Sequence, residues 1–225
     1  MKLIVIIGLT VLALPVLGQE YQAQYRLTFV GEWSPSTHPT DYPNNAHFSA
    51  LIGNTHDENG GIWLPGLLAT DGIEVMAETG STSVLTNEIN DLINLGVAEF
   101  RLLGSSADAT QTVAFEFTIT ESHPLVSLTT MIAPSPDWFI GVHDLSLLQG
   151  AEWAEEVIVD LQPYDSGTDS GTTFISSNIE TNPQQPISRI ATAPFTNGNP
   201  LGAFVFTRLS TSGTPTDVLF ASSFE

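Results

Sequence analysis

Short runs of alternating apolar and polar residues, each ending at Gly, Pro, Asn or Ser, constrain the fold of this chain most strongly. Residues 25–30 (YRLTFV) alternate before Gly31, and residues 112–119 (TVAFEFTI) place four apolar side chains on one face. Residues 125–132 and 201–209 are further apolar runs of strand length. Such runs are typical of strands that bury one face. They predict an antiparallel β-sandwich in which residues 125–132 pair with residues 112–119.

One segment has the period of a helix instead. Within residues 83–96 the apolar side chains share one helical face, namely Leu85, Ile89, Leu92 and Ile93. Gly96 is a typical stop at the end of such a segment. The fold class predicted is therefore mainly β, an antiparallel β-sandwich with one short packed amphipathic helix. Residues 172–200, rich in Ser, Thr, Asn and Pro, predict a long surface connection.

The chain opens with the pattern of a secretory leader. A basic residue precedes an apolar run over residues 3–17, which is interrupted by Pro15. A membrane anchor would need roughly 20 apolar residues. We therefore expect residues 1–18 to be a signal peptide, and residues 19–225 to form a single exported domain. The tail, residues 220–225, is either a processing signal or a frayed end.

The charge balance excludes two classes of partner. Five basic residues stand against 25 acidic ones, which gives a formal net charge of −20. Such a surface repels phosphate, so nucleic acid is excluded, and anionic lipid would need a bridging cation. The acidity serves solubility in a salty medium, or local clustering around a divalent cation, or both. The chain has no cysteine, so disulfides, thiolate zinc sites and cysteine nucleophiles are absent.

The histidines do not form a recognisable catalytic or zinc motif. Three of them, His38, His47 and His56, are spaced nine residues apart, and the two others stand alone. Zinc sites usually contain a tighter pair, and a Ser-His-Asp triad has no sequence spacing that would reveal it. We expect structural histidines, with a ligand role or catalysis as the alternatives. Paired carboxylates for glycoside hydrolysis are too abundant here to single out a pair.

Residues 162–171 (QPYDSGTDSG) raise the question of a metal site. Asp165 and Asp169 converge if the segment between them turns tightly, and its glycines allow carbonyl groups to point inward. Calcium takes six to eight oxygen ligands, so a third carboxylate is needed. Asp137, presented between two prolines and a tryptophan in residues 134–138, is the best supplier. The alternative is an ordinary polar turn facing solvent.

Several motifs together resemble the spondin domain family. Residues 131–142 (MIAPSPDWFIGV) resemble one family signature, and residues 165–171 (DSGTDSG) resemble a second, with Ser166 in place of the usual alanine. The resemblance runs in order from about residue 21 to residue 209. Further agreement is found at residues 28–34 (TFVGEWS), 38–39 (HP), 42–43 (YP), 47–49 (HFS), 53–56 (GNTH), 77–78 (AE) and 123–128 (HPLVSL), and at Trp63 and Gly66.

The resemblance implies an antiparallel β-sandwich, similar to calcium-dependent lipid-binding domains, with calcium bound near one end. The family's metal aspartates correspond to Asp137, Asp165 and Asp169. A fourth acidic ligand is expected at Glu116 or Glu121. The sequence carries no cysteine-rich thrombospondin-type repeat and no reelin-like module, so roles tied to those modules are not transferred. Its acidic, cysteine-free composition is typical of a stand-alone bacterial version.

The leading hypothesis from the sequence is a secreted, calcium-binding, non-enzymatic adhesion or recognition module. We expect it to be a monomer that binds an extracellular protein or glycan. The alternatives are a secreted hydrolase, acting on polysaccharide with a structural calcium, and a structural envelope component. An exposed histidine beside a free carboxylate in a cleft would favour the hydrolase. Buried, hydrogen-bonded histidines would favour the module.

Overall fold

The computed structural model describes residues 20–215. The predicted signal peptide, residues 1–18, and the predicted tail, residues 220–225, lie outside the described residues. Within the described range, the two helices are α1 (Asp71–Thr79) and α2 (Ser83–Leu95). The strands are β1 (Gln22–Gly31), β2 (His47–Phe48), β3 (Ile52–His56), β4 (Ala98–Leu103), β5 (Ala107–Asp108), β6 (Thr112–Thr120), β7 (Leu125–Ala133), β8 (Trp138–Ser146), β9 (Leu148–Gln149), β10 (Glu152–Trp153), β11 (Glu156–Leu161), β12 (Tyr164–Asp165), β13 (Ser188–Arg189) and β14 (Gly202–Ser212).

The first sheet has the strand order β11-β14-β1-β6, and all of its pairs are antiparallel. In β1 the side chains of Tyr25, Leu27 and Phe29 are buried, while Gln24 and Arg26 face solvent. This is the alternation that the sequence predicts for a strand with one buried face. The predicted last strand is likewise present as β14, which buries two phenylalanines.

The second sheet is centred on the β7–β8 hairpin, and its strand β7 is buried on both faces. Its order is β13-β12-β8-β7-β2-β5, with β3 pairing β7 and β4 pairing β3. In β7, Leu128 and Ile132 face the core between the two sheets, whereas Met131 faces the helices. The expectation that this strand pairs with β6 is wrong, because β6 pairs with β1 in the first sheet. Apolar character on both faces of β7 is what allows a sheet to be covered on both sides.

The predicted helix is α2, and Gly96 ends it in the left-handed conformation with a φ of 76°. The first helix, α1, was not predicted. Thr70 caps its N-terminus, with a side chain that accepts the Ile73 N–H, and Gly80 caps its C-terminus with a φ of 72°. Both helices pack on the second sheet through a cluster formed by Ile52, Ile62, Trp63, Ile73, Met76, Ala77, Leu85, Ile89, Met131, Ala133, Phe139 and Ile187.

The connection predicted over residues 172–200 has little regular structure, but it is anchored in the core. It contains the two-residue strand β13 and buries Phe174, Ile187 and Phe195. No helix in the described part of the chain is both long and apolar enough to cross a membrane.

Candidate metal centre

Strand pairing brings the two predicted aspartate loops together. Asp137 directly precedes β8, at the tip of the β7–β8 hairpin, and its side chain is fully buried. Strand β12 pairs with β8 so that Asp165 lies opposite Trp138. The Ser166 N–H then donates to the Asp137 carbonyl oxygen at 3.2 Å. The residues that follow Asp165 therefore lie directly against the Asp137 side chain.

The two oxygens of the Asp137 carboxylate have different surroundings. Oδ2 accepts hydrogen bonds from the backbone N–H groups of Thr168 (2.9 Å) and Asp169 (3.1 Å) and from the hydroxyl of Ser166 (3.0 Å). Oδ1 is buried and has no hydrogen-bond partner among the described residues. A buried anionic oxygen without a partner costs free energy. A positive partner at this atom would remove that cost.

Asp165 lies next to Asp137 and is partly buried. Its Oδ1 accepts the backbone N–H of Gly167 at 2.8 Å. Burial, together with the negative charge of Asp137, raises the pKa of Asp165 to about 6. A side-chain hydrogen bond between the two carboxyl groups raises it further, whereas the Gly167 N–H and the Trp138 side chain favour the ionised form. Two carboxylates this close destabilise each other when both are ionised, and a cation between them reverses that effect.

The Asp169 side chain accepts hydrogen bonds from the segment that follows it in the chain. This side chain is almost fully buried, with Oδ1 accepting the Gly171 N–H at 2.6 Å and Oδ2 accepting the Ile179 N–H at 3.0 Å. The Ser170 N–H donates back to the Ile179 carbonyl at 2.9 Å. A carboxylate oxygen with one hydrogen bond keeps a second acceptor site, so both oxygens remain usable as cation ligands.

Gly167 makes the tight turn between the two aspartates possible. Its φ of +77° lies in the left-handed region, and a Cβ built on it would lie 2.0 Å from the Gln185 carbonyl oxygen. The Gln185 N–H donates to the Gly167 carbonyl at 2.9 Å. Any side chain here would push the segment around Gln185 away, so glycine is required both by conformation and by close approach.

Sequence reasoning missed a fourth acidic residue, Glu78, which α1 places near the same centre. The pKa of Glu78 is raised first by burial, with smaller increases from the negative charges of Glu74, Asp169 and Asp137, while a hydrogen bond with Thr168 lowers it. Its spacing from the aspartates gives no sequence signal, because α1 was not predicted. Helical periodicity of the buried residues in α1 was the signal that could have located it.

The two residues expected to supply a fourth ligand belong to the first sheet. Glu116 lies on the outward face of β6 and accepts a hydrogen bond from Arg26 at 2.7 Å. Glu121 directly follows β6, and its N–H donates to the Tyr21 carbonyl at 2.8 Å. The aspartate loops, in contrast, border β8 and β12 of the second sheet.

The aspartates share one neighbourhood but do not form a coordination shell in this arrangement. Within residues 20–215, no group of three His, Cys, Asp or Glu side chains is placed to hold a metal ion. The available donors are nevertheless all oxygens, from the carboxylates and from the hydroxyls of Ser166 and Thr168. Oxygen donors suit hard cations such as calcium, whereas softer metals take nitrogen or sulfur. The unpartnered Oδ1 of Asp137 indicates that these residues fit such a cation.

Four of the five histidines are held by hydrogen bonds elsewhere in the fold, whereas the Nδ1 of His143 has no partner among the described residues. His56 is fully buried, with Nδ1 2.6 Å from the Asp57 carbonyl and Nε2 2.8 Å from the Ser127 hydroxyl. His38 is also buried and lies 3.3 Å from the Asn199 carbonyl. Further backbone carbonyls lie next to His47 and His123. Burial lowers the pKa of His38 and of His56, which favours the neutral, structural form of each ring.

The fold and the site define a class of protein. It has two main antiparallel sheets and a small β9–β10 ribbon, with helices on one face and aspartates gathered at a hairpin tip. The chain belongs to the Spondin_N family, whose family model matches residues 23–204. This confirms the resemblance carried by the two signature segments.

The chain is similar to curated spondins from several vertebrates. It is 36% identical to Spondin-2 of Rattus norvegicus over 194 residues, covering 83% of this chain and 58% of that protein. Spondin-2 of Homo sapiens is also 36% identical, with 83% of this chain and 57% of that protein covered. Spondin-1 of Rattus norvegicus is 39% identical over 172 residues, which are 73% of this chain and 21% of that protein. The chain therefore spans less than two thirds of the length of these relatives.

Proposed function

We propose that this protein is an exported recognition module of the spondin type, which binds calcium at Asp137, Asp165 and Asp169 and acts by adhesion rather than catalysis. Membership of the spondin family supports the module. The secretory leader pattern over residues 1–18 supports export. The extracellular partner is a protein or a glycan.

The observation that carries the calcium proposal is the buried, unpartnered Oδ1 of Asp137. Three further carboxyl groups belong to the same cluster, since Asp165 and Glu78 interact electrostatically with Asp137, and Glu78 also interacts with Asp169. A bound calcium would supply positive charge to this cluster. Asp137, Asp165 and Asp169 would hold the ion, and Glu78 would add negative charge nearby.

Burial of the site favours a bracing role for the ion over direct contact with the partner. Asp137 and Asp169 are almost inaccessible to solvent, and Trp138 is buried in the core between the sheets. The three aspartates together connect the hairpin tip, the loop after β12 and the segment that contains Ile179. An ion at this junction fixes the relative position of these surface segments, and the partner contacts another surface.

The surroundings of His38 and His56 support adhesion over hydrolysis. His38 and His56 are buried with their ring nitrogens next to backbone or hydroxyl oxygens. His143, the remaining candidate, packs edge-on against Trp63 at 4.9 Å, and its Nδ1 lies 3.8 Å from Asp144. A catalytic base needs to reach the proton that it removes within hydrogen-bond distance. His38 and His56 do not meet this requirement, because structural hydrogen bonds engage their rings. His143, whose Nδ1 has no hydrogen-bond partner among the described residues and lies beside Asp144, is the one position at which the hydrolase alternative would act.

The experiment is a binding screen of the purified protein against immobilised matrix proteins and glycans, first with calcium and then with chelator. The expected result is retention that chelation weakens only as far as it loosens the loops. An Asp169→Asn variant, compared under conditions in which it remains folded, is expected to bind the partner nearly as well as wild type. Complete loss of partner binding by the folded variant would contradict bracing. Hydrolysis of a glycan in the screen would contradict adhesion.

A further inference from the structure

A surface loop on the helix side of the second sheet exposes three leucines, which we call the leucine loop (residues 64–68). Leu67 is 58% exposed and Leu68 is 56% exposed, and Leu64 is partly exposed beside them. Single exposed apolar residues are ordinary, but three within five residues form a patch of the kind that marks interaction sites.

Hydrogen bonds hold the leucine loop in place, so its exposure is built into the fold. The Gly66 N–H donates to the Ile187 carbonyl at 2.8 Å, and the Ile187 N–H donates to the Leu67 carbonyl at 2.8 Å. The Gln184 side chain donates to the Ala69 carbonyl at 3.1 Å. Residues 184–187 in turn lie against the aspartate loop through the hydrogen bond from the Gln185 N–H to Gly167.

A cleft of about 260 Å³ lies beside the leucine loop. Trp63 lines it from below; this side chain is only 5% exposed, and its indole N–H has no acceptor within the described residues. The leucines and Ile62 form the apolar part of the lining, and Glu58 and Asp144 add two carboxylates. An apolar cleft with a few polar groups is the usual form of a specific binding site.

Among residues 20–215, Glu58 forms no ion pair, and the only basic side chains near Asp144 are two histidines. Asp144 lies 3.8 Å from His56 and 3.8 Å from His143, but the pKa of His56 is lowered by burial, which keeps that ring neutral. The arginines are engaged elsewhere: Arg26 with Glu116, Arg101 with Asn90, Arg189 with Gln162, and Arg208 with the Trp153 carbonyl. The cleft therefore combines exposed apolar surface with two carboxylates that no arginine of the described residues pairs with.

We propose that this cleft docks a segment of a partner protein in which an aliphatic or aromatic side chain is flanked by Lys or Arg. The apolar side chain inserts against Trp63 and the leucine loop, and the cations pair with Glu58 and Asp144. The assignment rests on the proposed function in one respect, since it supplies the surface by which an adhesion module contacts its partner. A second copy of this chain is a poor occupant, because its net charge of −20 would be repelled.

The test is an NMR titration of the ¹⁵N-labelled protein in calcium-containing buffer with the capped peptide Gly-Lys-Leu-Arg-Leu-Lys-Gly. Two matched peptides serve as controls, one with Ser in place of each Leu and one with Glu in place of each basic residue. The expected result is shifts confined to residues 58–70, Asp144 and the Trp63 indole, with both control peptides binding at least about tenfold more weakly.

Matched variants of the protein locate the binding. Leu67→Ser and Leu68→Ser, and separately Glu58→Gln and Asp144→Asn, are each expected to weaken the peptide about tenfold. Leu103→Ser, at a residue 52% exposed on β4, and Asp91→Asn, at an exposed residue of α2, are expected to leave binding unchanged.

The proposal is overturned if the peptide causes no shifts, if its shifts spread over the acidic surface, or if the Ser peptide binds equally well. Concentration-dependent dimerisation that Leu67→Ser abolishes would assign the cleft to a second copy and would also overturn it. Calorimetry with calcium on the same samples measures the metal centre separately. A failure of the cleft is therefore distinguishable from a failure of the proposed function.

Discussion

A titratable side chain is buried at each end of the β7–β8 hairpin, and the two side chains differ in how many of their polar atoms have hydrogen-bond partners. At the open end, His56 lies between the Asp57 carbonyl and the Ser127 hydroxyl, so both of its ring nitrogens have partners. At the tip, one oxygen of Asp137 accepts several hydrogen bonds, and the other has none among the described residues. Both side chains are fully buried.

The difference separates a structural polar residue from a candidate ligand. The fully partnered ring of His56 needs nothing further, and burial favours its neutral form. The half-partnered carboxylate of Asp137 lies among further carboxyl groups, so its surroundings add repulsion where a buried anion needs attraction. We infer that the hairpin tip is arranged around a cation and that the open end is not.

The largest expected effect is the loss of Asp137 itself. Replacing Asp137 by Ala leaves the N–H groups of Thr168 and Asp169 buried without an acceptor. We expect the free energy of unfolding to fall by about 3 kcal/mol or more. Chemical denaturation in the presence of calcium measures it. A loss below about 1 kcal/mol would mean that the tip tolerates an empty centre, as an ordinary polar turn would.

A second prediction concerns the turn between the aspartates. Gly167→Ala places a methyl group against the Gln185 carbonyl, whereas Gly96→Ala, at a nearly equal positive φ, meets nothing within 4 Å. We expect Gly96→Ala to cost about 1 kcal/mol, from conformation alone, and Gly167→Ala to cost roughly twice that or more. Thermal unfolding of the two variants is the comparison. Equal costs would show that the close approach to Gln185 relaxes freely.

The sequence identified candidate site residues most readily where they lie close together along the chain. The sequence singled out Asp137, Asp165 and Gly167, because oxygen donors and turn residues occur together in these two segments. Glu78 could not be singled out, since it reaches the centre from a helix about ninety residues before Asp165 and only tertiary packing places it there.

The same limit explains the strand that was paired wrongly. β6 and β7 are neighbours in sequence, with only a short turn between them, and adjacent strands usually pair. Here the turn carries the chain from one sheet to the other. The buried residues on both faces of β7 are the local sign of this, because a strand that paired in a one-sided sheet would alternate.

At the open end of the hairpin, the prediction concerns pH. Burial lowers the pKa of His56 below its usual 6.5, and the charge of His123 adds a smaller decrease. The hydrogen bond with the Asp57 carbonyl and the negative charges of Asp144 and Asp57 oppose this decrease. As the pH falls below about 6.5, the unfolded chain takes up the proton first, so stability present at neutral pH is lost. The contribution is at most about 1.4 kcal/mol per pH unit.

The measurement is the free energy of unfolding from pH 7.5 to pH 5, for wild type and for His56→Gln under the same conditions. The titration of other groups cancels when the two profiles are subtracted. We expect the variant to be less stable at neutral pH and its profile to be flatter below about pH 6.5. Parallel profiles would mean that the pKa of His56 is the same in the folded and the unfolded protein.

The smallest expected effect belongs to Glu78. Glu78→Gln removes a negative charge near the aspartates without removing a predicted ligand, so we expect calcium affinity to fall by about tenfold or less. Asp91→Asn, a charge change of equal size on the exposed side of α2, is the control and should change affinity very little. If Glu78→Gln abolished binding, Glu78 would be a ligand in its own right.

The most direct test of the metal centre is calorimetric titration of calcium into wild type, Asp165→Asn and Asp144→Asn. The two variants make the same Asp→Asn substitution, at Asp165 beside the tip of the β7–β8 hairpin and at Asp144 towards its open end. We predict a single calcium site in wild type, retained in Asp144→Asn and lost in Asp165→Asn. Absence of binding by wild type at millimolar calcium, or loss in Asp144→Asn with retention in Asp165→Asn, would contradict the assignment of the cation to the hairpin tip.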